Sequence, residues 1–172
     1  MRKLFTLLAA VIALQGFAQD LPKDEDGKVE FTETVSVAGF TADQLYANAK
    51  TWFAAQYKSE KNRKFLTDIN KISDKQNIKS EQMSGGVNYT IDIQVKEGRY
   101  RIRITNLAHK DYGKGKCSGG RLEADEPLCR DGKMSAKTWQ QVKNITKEQV
   151  TQLIESIKTA MAKKEEKKSD DW

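Results

Sequence analysis

VNYTIDIQVKEGRYRIRIT, residues 87–105, decides the fold. Val87, Tyr89, Ile91, Ile93 and Val95 alternate with polar residues, Glu97-Gly98 makes a two-residue turn, and Tyr100, Ile102 and Ile104 resume the alternation. A period of two puts each apolar set on one side of a strand, and the short turn makes a hairpin. With that turn, Val95 faces Tyr100, Ile93 faces Ile102 and Ile91 faces Ile104, so the apolar parities coincide. The opposite side pairs Asp92 with Arg103 and Thr90 with Thr105, both favourable neighbours across a ladder.

Elements on either side extend this pattern. Lys28 to Val37 alternates, with Val29, Phe31, Val35 and Val37 on one parity and only Glu33 interrupting it. Thr41 and Gln44 form a capping box, Phe40 and Leu45 a hydrophobic staple, and Leu45, Ala49, Trp52 and Phe53 one stripe of a helix to about Tyr57. Trp52-Phe53 at that spacing reads as core packing rather than a ligand-stacking pair. Phe65 to Ile72 and Asn77 to Met83 read as two polar-rich strands. Past the hairpin, 109–133 is irregular and rich in glycine and charge. Ser135 to Lys143 is predicted as a short helix presenting Trp139 and Val142. A separate final helix starts at a second capping box, Thr146 with Gln149, stapled by Ile145 and Val150. Its stripe is Val150, Leu153, Ile154, Ile157 and Met161. Lys163 to Trp172 is a charged tail. The order strand, helix, antiparallel strands, helix predicts an α+β domain with two helices on one face of the sheet.

The N-terminus points to export. Arg2-Lys3 precede an apolar run, Leu4 to Leu14, and Gly16-Phe17-Ala18 offers the small-x-small pattern of a signal-peptidase site. The run is about 11 residues against roughly 20 for a membrane span, so a cleaved signal over 1–18 is expected. Removing 18 of 172 residues leaves 154, enough for one domain over 19–162 plus the 163–172 tail. The formal charge of +6 falls to about +4 when Arg2 and Lys3 leave. Both signs are interspersed, which fits a soluble periplasmic or extracellular domain and not a nucleic-acid arm. No second apolar stretch is long enough to span a membrane.

Cys117 and Cys129 are an isolated pair, and in an oxidising compartment they read as one disulfide. Eleven residues intervene where thioredoxin-type thiols have two, and His109 is the sole histidine available to help hold zinc. The cross-link closes a 13-residue loop, worth roughly 3 kcal/mol.

Catalytic signatures are absent. His109 reads as a solvent-exposed histidine with no nucleophile elbow anywhere. Gly113-Lys114-Gly115 lacks the context of a phosphate loop. Asp24-Glu25-Asp26-Gly27 lacks the distal glutamate of a calcium loop. Asn88-Tyr89-Thr90 and Asn144-Ile145-Thr146 match the glycosylation pattern but fall within predicted structural elements. No carboxylate pair is singled out by spacing. One surface invites a ligand: Lys96, Arg99, Arg101 and Arg103 share the outer face of the hairpin, with Asp92 alone placed to offset them. An acidic glycan, a lipid head group or an acidic protein would suit it, while the plain alternative is the wet side of a sheet.

The opening LPKDEDGKVEFTETV, the helix with Tyr46 and Trp52-Phe53, the hairpin Val95 to Arg101 and the signal followed by a glutamine carry a resemblance in their order. Over roughly Leu21 to Ala108 the chain resembles a family of secreted bacterial domains of unknown function with a TBP-like fold. That resemblance implies the fold but no catalytic residues, cofactor or metal, and a fold name does not imply nucleic-acid binding. The expected function is a non-enzymatic binding or envelope-associated module. The alternatives are an inhibitor presenting the 117–129 loop and a hydrolase with an unrecognised carboxylate pair. Exported protein is expected to be soluble and to begin at Gln19, which intact-mass measurement checks; retention of 1–18 in a membrane fraction contradicts it.

Overall fold

In the computed structural model, residues 20–57, 64–66, 71–79, 85–111, 117–129 and 134–164 are described. Residues 1–18, the expected signal, and 165–172 of the charged tail lie outside them. The chain runs β1 (Phe31–Ser36), α1 (Ala42–Gln56), β2 (Lys64–Leu66), β3 (Lys71–Lys79), β4 (Gly86–Lys96), β5 (Arg99–Lys110), β6 (Gly120–Arg121) and α2 (Ala136–Met161). The strands form one antiparallel sheet in the order β1-β5-β4-β3-β2, with β6 added to β5. The predicted hairpin register holds at each pair, from Val95↔Tyr100 through Ile91↔Ile104 to Thr90↔Thr105. Its apolar residues are buried against the helices, as one-sided burial requires.

Beyond Thr105 the alternation breaks, and the break explains a wrong expectation. Thr90 pairs with Thr105 but Asn88 pairs with Ala108, so Tyr89 stands opposite two residues, Asn106 and Leu107. This is a β-bulge on β5, and Asn106 adopts φ +58° to make it. Asparagine tolerates the left-handed region better than other side-chain-bearing residues do. The extra residue reverses parity, so that Leu107 and His109 point inward where unbroken alternation would place them outside. His109 is therefore only 2% exposed, contrary to its reading as a solvent histidine. The Gly119 N–H donates to its Nδ1 at 2.9 Å, which places any single ring proton on Nε2. The ring meets Trp139 edge to face at 6.2 Å.

Both helices lie on the buried face. α1 carries the predicted capping box: Gln44 N–H donates to Thr41 Oγ1 at 3.2 Å and Thr41 N–H to Gln44 Oε1 at 3.0 Å. Its stripe of Leu45, Ala49, Trp52 and Phe53 is buried as expected. The C-terminal region departs from expectation, because one 26-residue helix replaces the two predicted there. Its cap is Ser135, whose Oγ accepts from Thr138 N–H at 3.1 Å. Thr146 caps nothing; it is fully buried mid-helix and donates Oγ1–H to the Val142 carbonyl at 2.8 Å. Trp139, Val142, Thr146, Val150, Ile154, Ile157 and Met161 step by three or four without a gap, so the two predicted stripes are one.

Three polar contacts tie α1 to the C-terminal helix region, and a fourth ties α2 to the sheet. Trp52 Nε1–H donates to Ser156 Oγ at 3.2 Å, and Asn48 Nδ2 donates to the Met161 and Lys163 carbonyls at the end of α2. Glu33, the interruption on the inner parity of β1, is met by Lys158 of α2 at 3.0 Å. Hydrogen bonds to Glu155 and Glu33 raise the Lys158 pKa above its usual value.

The middle strands also depart from expectation: Phe65 and Ile72, predicted on one strand, face each other across β2 and β3, and 67–70 lie outside the described residues. The predicted gap at 73–76 is continuous strand, because β3 pairs with β4 along its whole length from Lys71↔Gln94 to Lys79↔Gly86. Its partner, rather than its own weak alternation, makes it a strand. The predicted strand end at 80–83 lies outside the described residues. No helix among the described residues is long and apolar enough to cross a membrane.

The bulge makes a sharp expectation. Asn106→Val should lower stability by about 1–2 kcal/mol, the usual cost of forcing a branched side chain into the left-handed region, whereas Asn106→Gly should leave it unchanged or slightly higher. Denaturant midpoints of the two variants check this.

Candidate functional site

The helices cover one side of the sheet and leave the other open. Onto the open side β1 contributes Thr32 and Thr34, β5 contributes Arg99, Arg101, Arg103 and Thr105, and β4 contributes Thr90, Asp92, Gln94 and Lys96. All four cations singled out from the sequence therefore share one face, as the period of two requires.

They are not electrostatically equivalent. The guanidinium of Arg103 grips the carboxylate of Glu30 with two hydrogen bonds, Nε to Oε1 at 3.0 Å and Nη2 to Oε2 at 2.6 Å. The Glu30 hydrogen bond raises the Arg103 pKa. The expectation that Asp92 alone offsets the patch is thus corrected. Glu30 was missed because it lies just ahead of β1, and only the pairing Thr32↔Arg103 sets it diagonally beside Arg103. Arg101 donates Nη2–H to Gln94 Oε1 at 2.8 Å, a neutral partner that leaves its charge uncompensated. Glu97 sits in the turn between Lys96 and Arg99 yet makes an ion pair with neither. Its Oε2 accepts from Ala42 N–H at 3.0 Å, at the positive end of α1. No carboxylate of a described residue pairs with Lys96, Arg99 or Arg101. These three, with Thr34 and Gln94, line a shallow depression of about 250 Å³ at the hairpin end.

At the bulge end the face changes character. Gln76, Asn77, Asn88, Thr90, Asn106 and Arg121 line a broader depression of about 760 Å³. Asn77 Nδ2 donates to Asn88 Oδ1 at 2.7 Å, and Asn106 Nδ2 lies 3.3 Å from Thr90 Oγ1. Asn106 and Arg121 also border a smaller hollow of about 200 Å³ beside Glu30 and Arg103. Sequence reading missed this end, since β6 and the bulge that assemble it depend on distant pairing.

The disulfide segment is part of the body. Cys117 and Cys129 are bonded, with Cα atoms 5.6 Å apart. Between them β6 joins the sheet, Leu122 is buried in the core, and the Ala124 carbonyl accepts the Trp139 indole N–H at 3.0 Å. Leu128 alone among the large apolar side chains of the described residues stands exposed, at 70%, packed over Gly120 where a Cβ would collide. The 109–133 region, predicted as an irregular loop, thus holds the end of β5 and a sixth strand.

The remaining candidates lie in a turn, a strand and a helix. Asp24 closes its own turn, its Oδ1 accepting from Asp26 and Lys28 N–H groups. Asn88 lies within β4 and Asn144 within α2. No group of three or more His, Cys, Asp or Glu among the described residues is placed to hold a metal ion.

Residues 31–110 match the model of the family described as a domain of unknown function (DUF4468) with TBP-like fold. Solved structures similar to the chain include the following two. One is a TBP-like protein from Parabacteroides distasonis, 12% identical, with a TM-score of 0.59 over 80% of this chain and 96% of that one. The other is a DUF4468 family protein from Bacteroides ovatus, 17% identical, with a TM-score of 0.56 over 87% and 93%. No curated protein matches. At these identities the likeness establishes the fold: α+β, TBP-like, with two helices on an antiparallel sheet.

Replacing both cysteines by serine should lower stability by about 3 kcal/mol without abolishing cooperative unfolding, because Leu122 and the Trp139–Ala124 hydrogen bond still hold the segment. Thiol titration of denatured exported protein should find no free thiol.

Proposed function

From a chain whose residues 31–110 carry the DUF4468 match and whose fold is TBP-like, we propose an exported, non-enzymatic binding module that uses the open face of its sheet. Export rests on the signal-like 1–18 segment and is in keeping with the disulfide. The observation that carries the binding reading is the row Lys96, Arg99 and Arg101, turned to solvent with no acidic partner among the described residues. A sheet that merely needed wetting gains nothing from stacking like charges on neighbouring positions, which repel. Such a row attracts an anionic component of the cell envelope.

The competing readings fit less well. An inhibitor needs a projecting loop, but the 117–129 segment is tied down by β6, Leu122 and Trp139. A hydrolase needs carboxylates available at a cleft, but Glu30 is engaged by Arg103 and Glu97 by the α1 N-terminus.

Association with isolated envelope material should fall by about an order of magnitude as ionic strength rises from ~0.01 M to ~0.1 M, where the screening length drops from ~30 Å to ~10 Å. Arg99→Glu with Arg101→Glu should abolish it and leave the thermal midpoint nearly unchanged, since both side chains are exposed. Sedimentation with envelope fractions reads both. Binding indifferent to salt and to this double variant removes the proposal.

A further inference from the structure

The two ends of the open face offer different chemistry, and together they describe a ligand. The hairpin end presents three uncompensated cations. The bulge end presents amides, hydroxyls and Arg121, which is held to Glu123 at 3.5 Å, around a larger depression. Between them Arg103 is neutralised by Glu30. From Arg99 to Asn106 is roughly 23 Å at ~3.3 Å per residue, the reach of a short oligomer rather than a single small molecule. A partner recognised only by charge, such as an acidic peptide or an anionic bilayer, leaves the amide end unused. Side-chain amides and guanidinium groups offer donors and acceptors in fixed planes, which suits the vicinal hydroxyl and acetamido groups of sugars.

Asn106 sharpens the point. Its left-handed backbone is one that glycine adopts more easily, yet an asparagine stands there. The bulge aims its exposed amide to the meeting point of the two hollows at this end. Strain held at a ligand-facing residue is a recognised mark of a working site.

Resting on the reading of this face as a binding surface, we propose that its ligand is an acidic oligosaccharide lying along β4 and β5. Its carboxylate-bearing residues sit at Lys96, Arg99 and Arg101. Its neutral hydroxyl or acetamido groups sit in the amide-lined depression at Asn106 and Arg121.

Calorimetric titration of the exported protein separates the possibilities. The probes are oligogalacturonates, oligosaccharides alternating glucuronate with N-acetylglucosamine, poly-glutamate of matched charge, and phosphatidylglycerol vesicles. At least one acidic oligosaccharide should bind about tenfold more tightly than poly-glutamate. Asn106→Gly keeps the bulge and removes the amide, so it should weaken that sugar about fivefold and leave poly-glutamate unchanged. Arg99→Glu with Arg101→Glu should abolish both. Equal affinity for sugar and peptide, an Asn106→Gly variant indistinguishable from the parent on every sugar, or binding of vesicles alone overturns this inference and leaves the binding face standing. No binding of any anionic probe at low salt overturns both.

Discussion

The in-register pairing of β4 with β5 is the constraint on which the other elements depend. Once Val95, Ile93 and Ile91 face Tyr100, Ile102 and Ile104, one side of the sheet is a dry apolar surface that has to be covered. α1 and α2 supply that cover, and their own stripes are the complement of this row. β1 and β3 follow as its hydrogen-bonded flanks. A slip of one residue would turn the isoleucines to water and the arginines into the core, so burial of one face also dictates the chemistry of the other.

What could be read from the sequence was what local geometry determines. The hairpin register, the capping box at Thr41 and the α1 stripe each require only residues within one or two turns of one another, and all are present. The features that escaped are those made by partners far along the chain. β3 owes its continuity to β4, Arg103 its neutralisation to Glu30, and His109 its burial to a bulge whose marker is a single asparagine. The division of the last helix into two was a different kind of error. Thr146-x-x-Gln149 has the composition of a capping box, but a threonine can satisfy itself on the carbonyl four residues back, and the unbroken stripe through it was the stronger signal.

For the candidate site, the sequence identified the cationic residues and their shared face, because strand parity alone determines both. It could not rank them. That ranking comes from the carboxylates: one drawn to Arg103 from the approach to β1, another drawn off to a helix terminus. Lys96, Arg99 and Arg101, which pair with no carboxylate of a described residue, lie at the hairpin end, and the amide-rich end comes into being only when β6 and the bulge are in place.

The hairpin turn itself has one more consequence. Gly98 N–H donates to the Phe40 carbonyl, Val37 N–H to the Gly98 carbonyl, and Ala42 N–H to the Glu97 carboxylate, so the tip is fastened on both sides to the segment entering α1. Free hairpin ends flex, and a partner that binds one has to arrest that motion. Here the backbone bearing Lys96 and Arg99 is already immobilised by the fold. A partner docking here would have only side-chain freedom left to arrest, a saving of ordering entropy that a mobile tip of the same composition would not offer.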